Sequence, residues 1–267
     1  MDYVTSATLN RQRFEREYVY DNLALLRTSY DSFIADLPVK TAAARINARI
    51  ESQLNAFMAE NRLRLFPEAI EVYRESLAQG YPVRLFGSQL DYASSYNANG
   101  YLSFFFDRYE YAGGAHGTTI RRSDTCELST GQVLPLPAFF PRGYPYLKTI
   151  LESILDEARN RNADDPVYFE NYEELILKYF DPGSYYLTPE GIAFYFQQYE
   201  IAPYAAGIIV FIVPYKLLGL DRLYIDNPPA SKPVVPAEEG RSPSPSGQEP
   251  EAQSGRDSKS GFAIQTE

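Results

Sequence analysis

The chain has 267 residues, enough for one large domain or two small ones, and 45% of them are hydrophobic, with 23 Tyr and 16 Phe but no Trp. Its formal charge of −10 sets a nucleic-acid partner aside, because the phosphate backbone would be repelled. No apolar run reaches the ~20 residues that span a bilayer, and a single cysteine, Cys126, leaves no intrachain disulfide to form.

The opening "MDYVTSATLNRQRFEREYVYDN" is charged throughout and holds no apolar signal core. On this reading the chain as written is neither exported nor anchored. "FEREYVYDNLALLRTSYDSFIADLP" offers aromatic and β-branched runs broken by Asp-Asn and Thr-Ser, a pattern of strands and turns. A helix follows in "VKTAAARINARIESQLNAFMAEN", where Ile46, Ile50, Leu54 and Phe57 recur at three- and four-residue steps on one face. A second helix starts at Pro67, whose missing N–H costs nothing in the first turn; it carries Ile70, Tyr73 and Leu77 and stops at Gly80.

From Tyr81 the period changes to two. "PVRLFGSQLDYASSY", the turn "NANG", "YLSFFFDRYEY" and "TTIRRSDTCELS" read as a meandering antiparallel sheet. Leu102, Phe104 and Phe106 fall on one face, and Tyr101, Phe105 and Tyr109 on the other. Apolar residues on both faces mark a central strand covered on each side. After a "STGQ" turn and a short strand ending at "LPLPAFF", a third helix sets Leu147, Ile150, Leu151, Ile154 and Leu155 on a core stripe. "NADD" before Pro166 reads as a helix-ending loop and "YEELILKYF" as a shorter helix. "SYYLTPEGIAFYFQQYEIAPYAAGIIVFIVPYKLL" then reads as a hairpin, a loop, an apolar strand and a short helical end. From Asp226 the composition falls to Pro, Ser, Gly and charge, too little apolar surface to offset the ordering entropy, so a disordered tail is expected.

Few residues are equipped for chemistry. One His and one Cys cannot build a zinc site of the usual ligands, and no EF-hand spacing appears, so no metal is expected. Phosphate-cradling motifs and the G-x-S-x-G elbow are absent, so neither a cofactor nor a serine nucleophile is indicated. Cys126 reads as a buried strand residue. The single histidine, His116, lies in "AGGAHG", where consecutive glycines suit a strand that bends or bulges, with the imidazole a hydrogen-bonded bystander. Asp107 and Glu110 flank this corner and Glu200 precedes "IAPYAAG". Strand pairing that brought Glu110 and Glu200 together would give the acid and nucleophile or base of a glycosidase; arginine pairing is the plainer reading. Pro203 and Tyr204 stand either as an exposed contact anchor or as a strand end with its ring packed on the sheet.

The stretches "YEYAGGAHGTTIRRSDTCELSTGQVLPLPAFF" and "LTPEGIAFYFQQYEIAPYAAGIIVFIVPYKLL" resemble the extracytoplasmic domain of RsiV-type anti-sigma factors, a module that also occurs beside a polysaccharide deacetylase in bacterial envelope enzymes. The likeness runs from Tyr18 to Leu218. It implies a non-catalytic envelope module that binds lysozyme, an event that in the anti-sigma members alters proteolysis and releases a sigma factor. The matching positions are Tyr111, Gly113, Gly114, His116 and Gly117, then Ile201, Pro203, Tyr204 and Gly207. Neither a sigma-binding segment, a transmembrane helix nor a deacetylase domain appears in this sequence, so a binding module is expected rather than a whole anti-sigma factor.

The expected protein is therefore α+β, an antiparallel or mixed sheet packed by two to four helices. A strand-and-helix part covers 1–80, a sheet-and-helix part 81–225 and a tail 226–267. Tyr111, Gly113, Gly114, His116, Pro203 and Tyr204 are its ligand-binding candidates, with a cationic, lysozyme-like protein as partner. The alternative is a glycan-processing enzyme using paired carboxylates.

Overall fold

A computed structural model of the chain describes residues 4–220; the expected tail lies outside them. Two long strands, β1 (Thr8–Tyr20) and β2 (Leu23–Asp36), form a hairpin whose turn residues Asp21 and Asn22 take positive φ. Helix α1 (Lys40–Glu60) and helix α2 (Phe66–Gln79) then carry the chain back, so that β3 (Phe86–Ala98) lies parallel to β2. A parallel pair needs a crossover of this kind. Strands β4 (Tyr101–Tyr111) and β5 (Thr118–Glu127) follow as an antiparallel meander, and the sheet order is β1-β2-β3-β4-β5. The sheet is mixed.

The rest of the chain builds a second layer. Helix α3 (Tyr146–Asp164) and helix α4 (Tyr172–Tyr179) precede a three-stranded antiparallel sheet of β6 (Tyr185–Leu187), β7 (Gly191–Phe196) and β8 (Ile209–Pro214). Strand alternation decides what each layer buries. Tyr186, Ala193 and Tyr195 face the large sheet and pack with Phe105, while Leu187, Ile192, Phe194 and Phe196 pack with Ile150, Ile154 and Ile176 of α3 and α4. The opposite face of the large sheet is filled by α1, through Ile46, Ile50 and Phe57 against Phe33, Leu90 and Phe104, and by α2, through Ala69 and Tyr73 against Leu25, Leu26 and Phe86. The order is helices, large sheet, small sheet, helices, with each fully buried aromatic or aliphatic side chain stabilising it by roughly 1.5–3 kcal/mol.

Several expectations need correction. α1 and α2 are not separate helices but one rod joined by a π-helical turn at Asn61–Leu65. The extra residue in that turn shifts the phase of the apolar stripe. α2 accordingly buries Ala69, Tyr73 and Ser76, and Leu77 is 58% exposed. Gly80 ends the rod in the left-handed conformation, as its position suggests. In α3 the buried stripe is Ile150, Ile154 and Ala158, with Leu147 exposed, and the helix continues through "NAD" to Asp164. At "LPLPAFF" the prolines withhold ladder donors; a lone bridge from Cys126 to Val133 is followed by a 3-10 turn at Leu136–Phe139 in place of a strand.

Candidate functional site

The glycine stretch is the loop of the β4–β5 hairpin, residues 112–117, rather than a bend within one strand. Its glycines differ in purpose. Gly113 has φ +81°, a left-handed conformation, and the Arg84 guanidinium donates to the carbonyls of Gly113 and Gly114 at 2.8 and 2.9 Å. Gly117 is a close approach: an added Cβ would enter the ring of Tyr109. Gly114 meets neither condition. The Tyr111 hydroxyl donates to the Gly114 carbonyl at 3.0 Å. His116 is exposed, with Nδ1 3.0 Å from the Gly117 carbonyl.

A second loop, from the end of β7 to β8, is fastened beside this hairpin by two glutamines. The Gln197 side chain accepts from the Arg121 N–H at 2.9 Å and donates to the Arg121 carbonyl at 2.9 Å, standing in for a strand on the β5 edge. Gln198 accepts from the Thr119 N–H at 2.8 Å. These anchors set Tyr199 outward at φ +67° and 53% exposed. Ile201 is buried, and its carbonyl accepts from the Phe169 N–H. Exposed Pro203 leads into a short 3-10 turn at Tyr204–Ala206, closed by Gly207 at φ +66°, ψ −147°, a region open essentially to glycine.

The two loops meet ring to ring. His116 stacks on Tyr204 with centroids 3.9 Å apart and an interplanar angle of 22°, and Tyr199 lies 5.8 Å from Tyr204. The Tyr199 hydroxyl is 3.3 Å from His116 Nε2. Burial pushes the Tyr109 hydroxyl above its ordinary range, with the neighbouring Tyr204 and Tyr111 phenols adding to the shift. The structure thus brings Tyr111, His116, Pro203 and Tyr204 into one surface. His116 keeps its contact with the Gly117 carbonyl and also joins an aromatic ridge with Tyr204 and Tyr199. Tyr109, Gln197, Gln198 and Tyr199 complete it, and no sequence pattern marks the two glutamines as its anchors.

The carboxylates sort differently. Glu110 pairs with Arg64 and with Arg108, joining the π turn to β4. Glu200 accepts from the Gln197 N–H at 2.7 Å, and burial holds its carboxyl above the usual range. Asp107 is held by both arms of the buried Arg121 guanidinium at 2.8 and 2.7 Å, which lies over the Phe105 ring between the sheets. Cys126 is fully buried, and desolvation pushes its thiol up to about 12. Among the described residues, no three His, Cys, Asp or Glu side chains converge as a metal site would need.

Two family models match this chain in separate stretches. Residues 27–119 match Deacetylase PdaC, and residues 138–216 match Protein of unknown function (DUF3298). A PdaC segment and a DUF3298 segment are both present. The hairpin loop with His116 falls in the first and the loop with Tyr204 in the second, so the ridge is assembled from both. A member of the DUF3298 family from Bacteroides fragilis is similar in structure at 16% identity and a TM-score of 0.59, over 80% of this chain and 93% of that one. A DUF3298 family protein from Pseudomonas aeruginosa is similar at 16% identity and a TM-score of 0.55, with the same coverage. At these identities the likeness is one of fold. No curated protein matches the sequence.

Proposed function

We propose that this chain is a non-catalytic binding module of the bacterial cell envelope, and that the ridge of His116 and Tyr204, with Tyr111, Gly113, Gly114 and Pro203 around it, docks a cationic, lysozyme-like protein. The observation that carries the reading is the exposed His116 ring stacked on the half-buried Tyr204 ring between two pinned loops. Rigid aromatic anchors of this sort supply much contact area at small entropic cost. The charge of −10 favours a cationic partner and would speed its capture.

Calorimetric titration of lysozyme into the purified chain at low salt tests this. Binding is expected, with a large loss in Tyr204→Ala. Absence of heat at high micromolar concentration would remove lysozyme as the ligand. A second reading, glycan processing by Glu110 and Glu200, draws on the raised Glu200 carboxyl; Glu110 meanwhile spends its charge on Arg64 and Arg108. Equal or absent turnover of peptidoglycan fragments by wild type and Glu110→Gln would dismiss it.

A further inference from the structure

The small sheet covers Phe105 on the large sheet, while the same face of the large sheet toward β1 and β2 carries a groove of about 350 Å³, within the ~300–1,000 Å³ range of small-molecule sites. Strand register lays its floor out in two rungs. Glu15, Ser29, Gln89 and Tyr109 form one, running across β1 to β4; Arg27, Gly87 and Tyr111 form the next, across β2 to β4. Side chains within a rung sit ~4.8 Å apart by strand spacing, and the rungs lie two residues apart along each strand.

Gly87 is the unexplained residue in this array. Its φ lies outside the left-handed region, and an added Cβ would touch only Tyr111 Cβ, at an ordinary 3.9 Å. Neither conformation nor crowding calls for glycine there, and glycine weakens a strand. What its missing side chain does is leave a hollow between Arg27 and Tyr111. A glycine inside a strand is often the mark of another molecule's approach.

The polar groups around the hollow indicate what approaches. Arg27 donates to Glu17 at 3.0 and 2.8 Å, and Arg13 is engaged by Asp31, Asp91 and Ser29. With their charges matched, these arginines offer an anion little, and Glu15 adds a carboxylate that would repel one. Gln89 and Glu15 are exposed, and among the described residues their side chains make no hydrogen bond or ion pair. The sheet backbone beneath is already paired, so an added peptide strand finds no ladder. A neutral ligand rich in hydroxyls, with an apolar ring face to lay on tyrosine, fits all of these features.

We infer that the groove around Gly87 binds a neutral oligosaccharide, with Tyr111 and Tyr109 stacking against a sugar ring and Gln89 and Glu15 hydrogen-bonding its hydroxyls. The groove borders the ridge at Tyr109 and Tyr111, and the inference stands whether or not a protein docks on the ridge. The test titrates chitotetraose, cellotetraose and maltotetraose into the full chain, by calorimetry and by saturation-transfer NMR. At least one is expected to bind with Kd at or below ~1 mM. Gly87→Leu, which fills the hollow, is expected to weaken binding at least ~10-fold without lowering Tm, because leucine suits a strand better than glycine. Gln89→Ala is expected to weaken binding too. If none of the three sugars binds at 10-fold above that Kd, or if Gly87→Leu folds and binds as wild type does, the inference is wrong. Lysozyme heat lost in Tyr204→Ala but kept in Gly87→Leu would report on the ridge alone.

Discussion

Gly117→Ala puts the geometry of the hairpin loop to the test. A methyl group there would sit inside the Tyr109 ring, far closer than non-bonded carbons allow. The obstacle is the far end of a side chain, so the ring must swing away, and it gives up its packing against the loop as it goes. Overpacking of this kind costs about 1–3 kcal/mol. For a domain of this size each kcal/mol moves Tm by about 2–4 °C, so a clear drop is expected in a thermal melt. Two neighbours calibrate it. Gly114→Ala meets nothing nearer than 3.9 Å and has no positive φ, so its Tm should not change. Gly113→Ala must hold φ +81° with Phe86 Cε1 3.1 Å away, and should lower Tm as well. Removing the ring separates steric from conformational cost: in a Tyr109→Ala background, Gly117→Ala should lose most of its effect, a non-additivity that a double-mutant cycle reads directly. Equal losses at Gly114 and Gly117, or a Gly117 penalty that survives without the Tyr109 ring, would refute the reasoning.

Other outcomes follow from burial and pairing. Cys126, fully buried with its thiol pushed up to about 12, should resist iodoacetamide in the native protein and react once urea unfolds it. Asp31 is buried and accepts from the Tyr92 N–H and from Arg11 and Arg13, so Asp31→Ala should cost about 1–3 kcal/mol by leaving that amide unpaired. Arg11→Ala, which removes a partner 54% exposed, should cost no more than ~1 kcal/mol in the same melts. Glu200 has a carboxyl raised by burial, so the folded state holds its proton more tightly than the unfolded chain, whose value is near 4.5. Its contribution is therefore full below pH 4.5 and declines as pH rises through the folded value. Tm profiles of wild type and Glu200→Gln should diverge across that window, with wild type losing ground as pH rises; parallel profiles would count against it.

Periodic elements were legible because their signal is local. Ile46, Ile50 and Phe57 at helical spacing, and Leu102, Phe104 and Phe106 at strand spacing, each report a single face, and those faces pack into one core, with Phe106 half-buried at its edge. Gly80 was readable for the same reason, since the end of a helix depends on a few adjacent residues. The π turn was not. Asn61–Leu65 looks like any helical stretch, and only packing of Leu65 and Ala69 against the sheet reveals the changed phase. Nor could the pairing of β2 with β3 be read, because parallel register depends on the length and path of the crossover rather than on either strand. At the site, Tyr111, His116 and Tyr204 were picked out by position, yet their meeting depends on Gln197 and Gln198 reaching the backbone of β5 from 76 and 79 residues away. Nothing in a linear pattern encodes that bond. The hollow at Gly87 escaped for a related reason: one glycine in a strand acquires meaning only beside its cross-strand neighbours.

Ridge and groove share a boundary, and Tyr109 and Tyr111 form it. Both side chains point to the face of the large sheet that also carries Phe105, where the small sheet packs. Tyr109 lines the groove and also packs on Gly117, beneath the loop that presents His116. Tyr111 lines the groove and ties its hydroxyl to Gly114. The two surfaces are thus neighbours built on one rigid pair of strands. A ligand that moved Tyr109 in the groove would press on the hairpin loop through the contact that makes residue 117 a glycine. A partner on the ridge would restrain the same ring from the other side. Coupling between the surfaces needs no long pathway, only a change in one ring's position, and by linkage it would act equally in both directions.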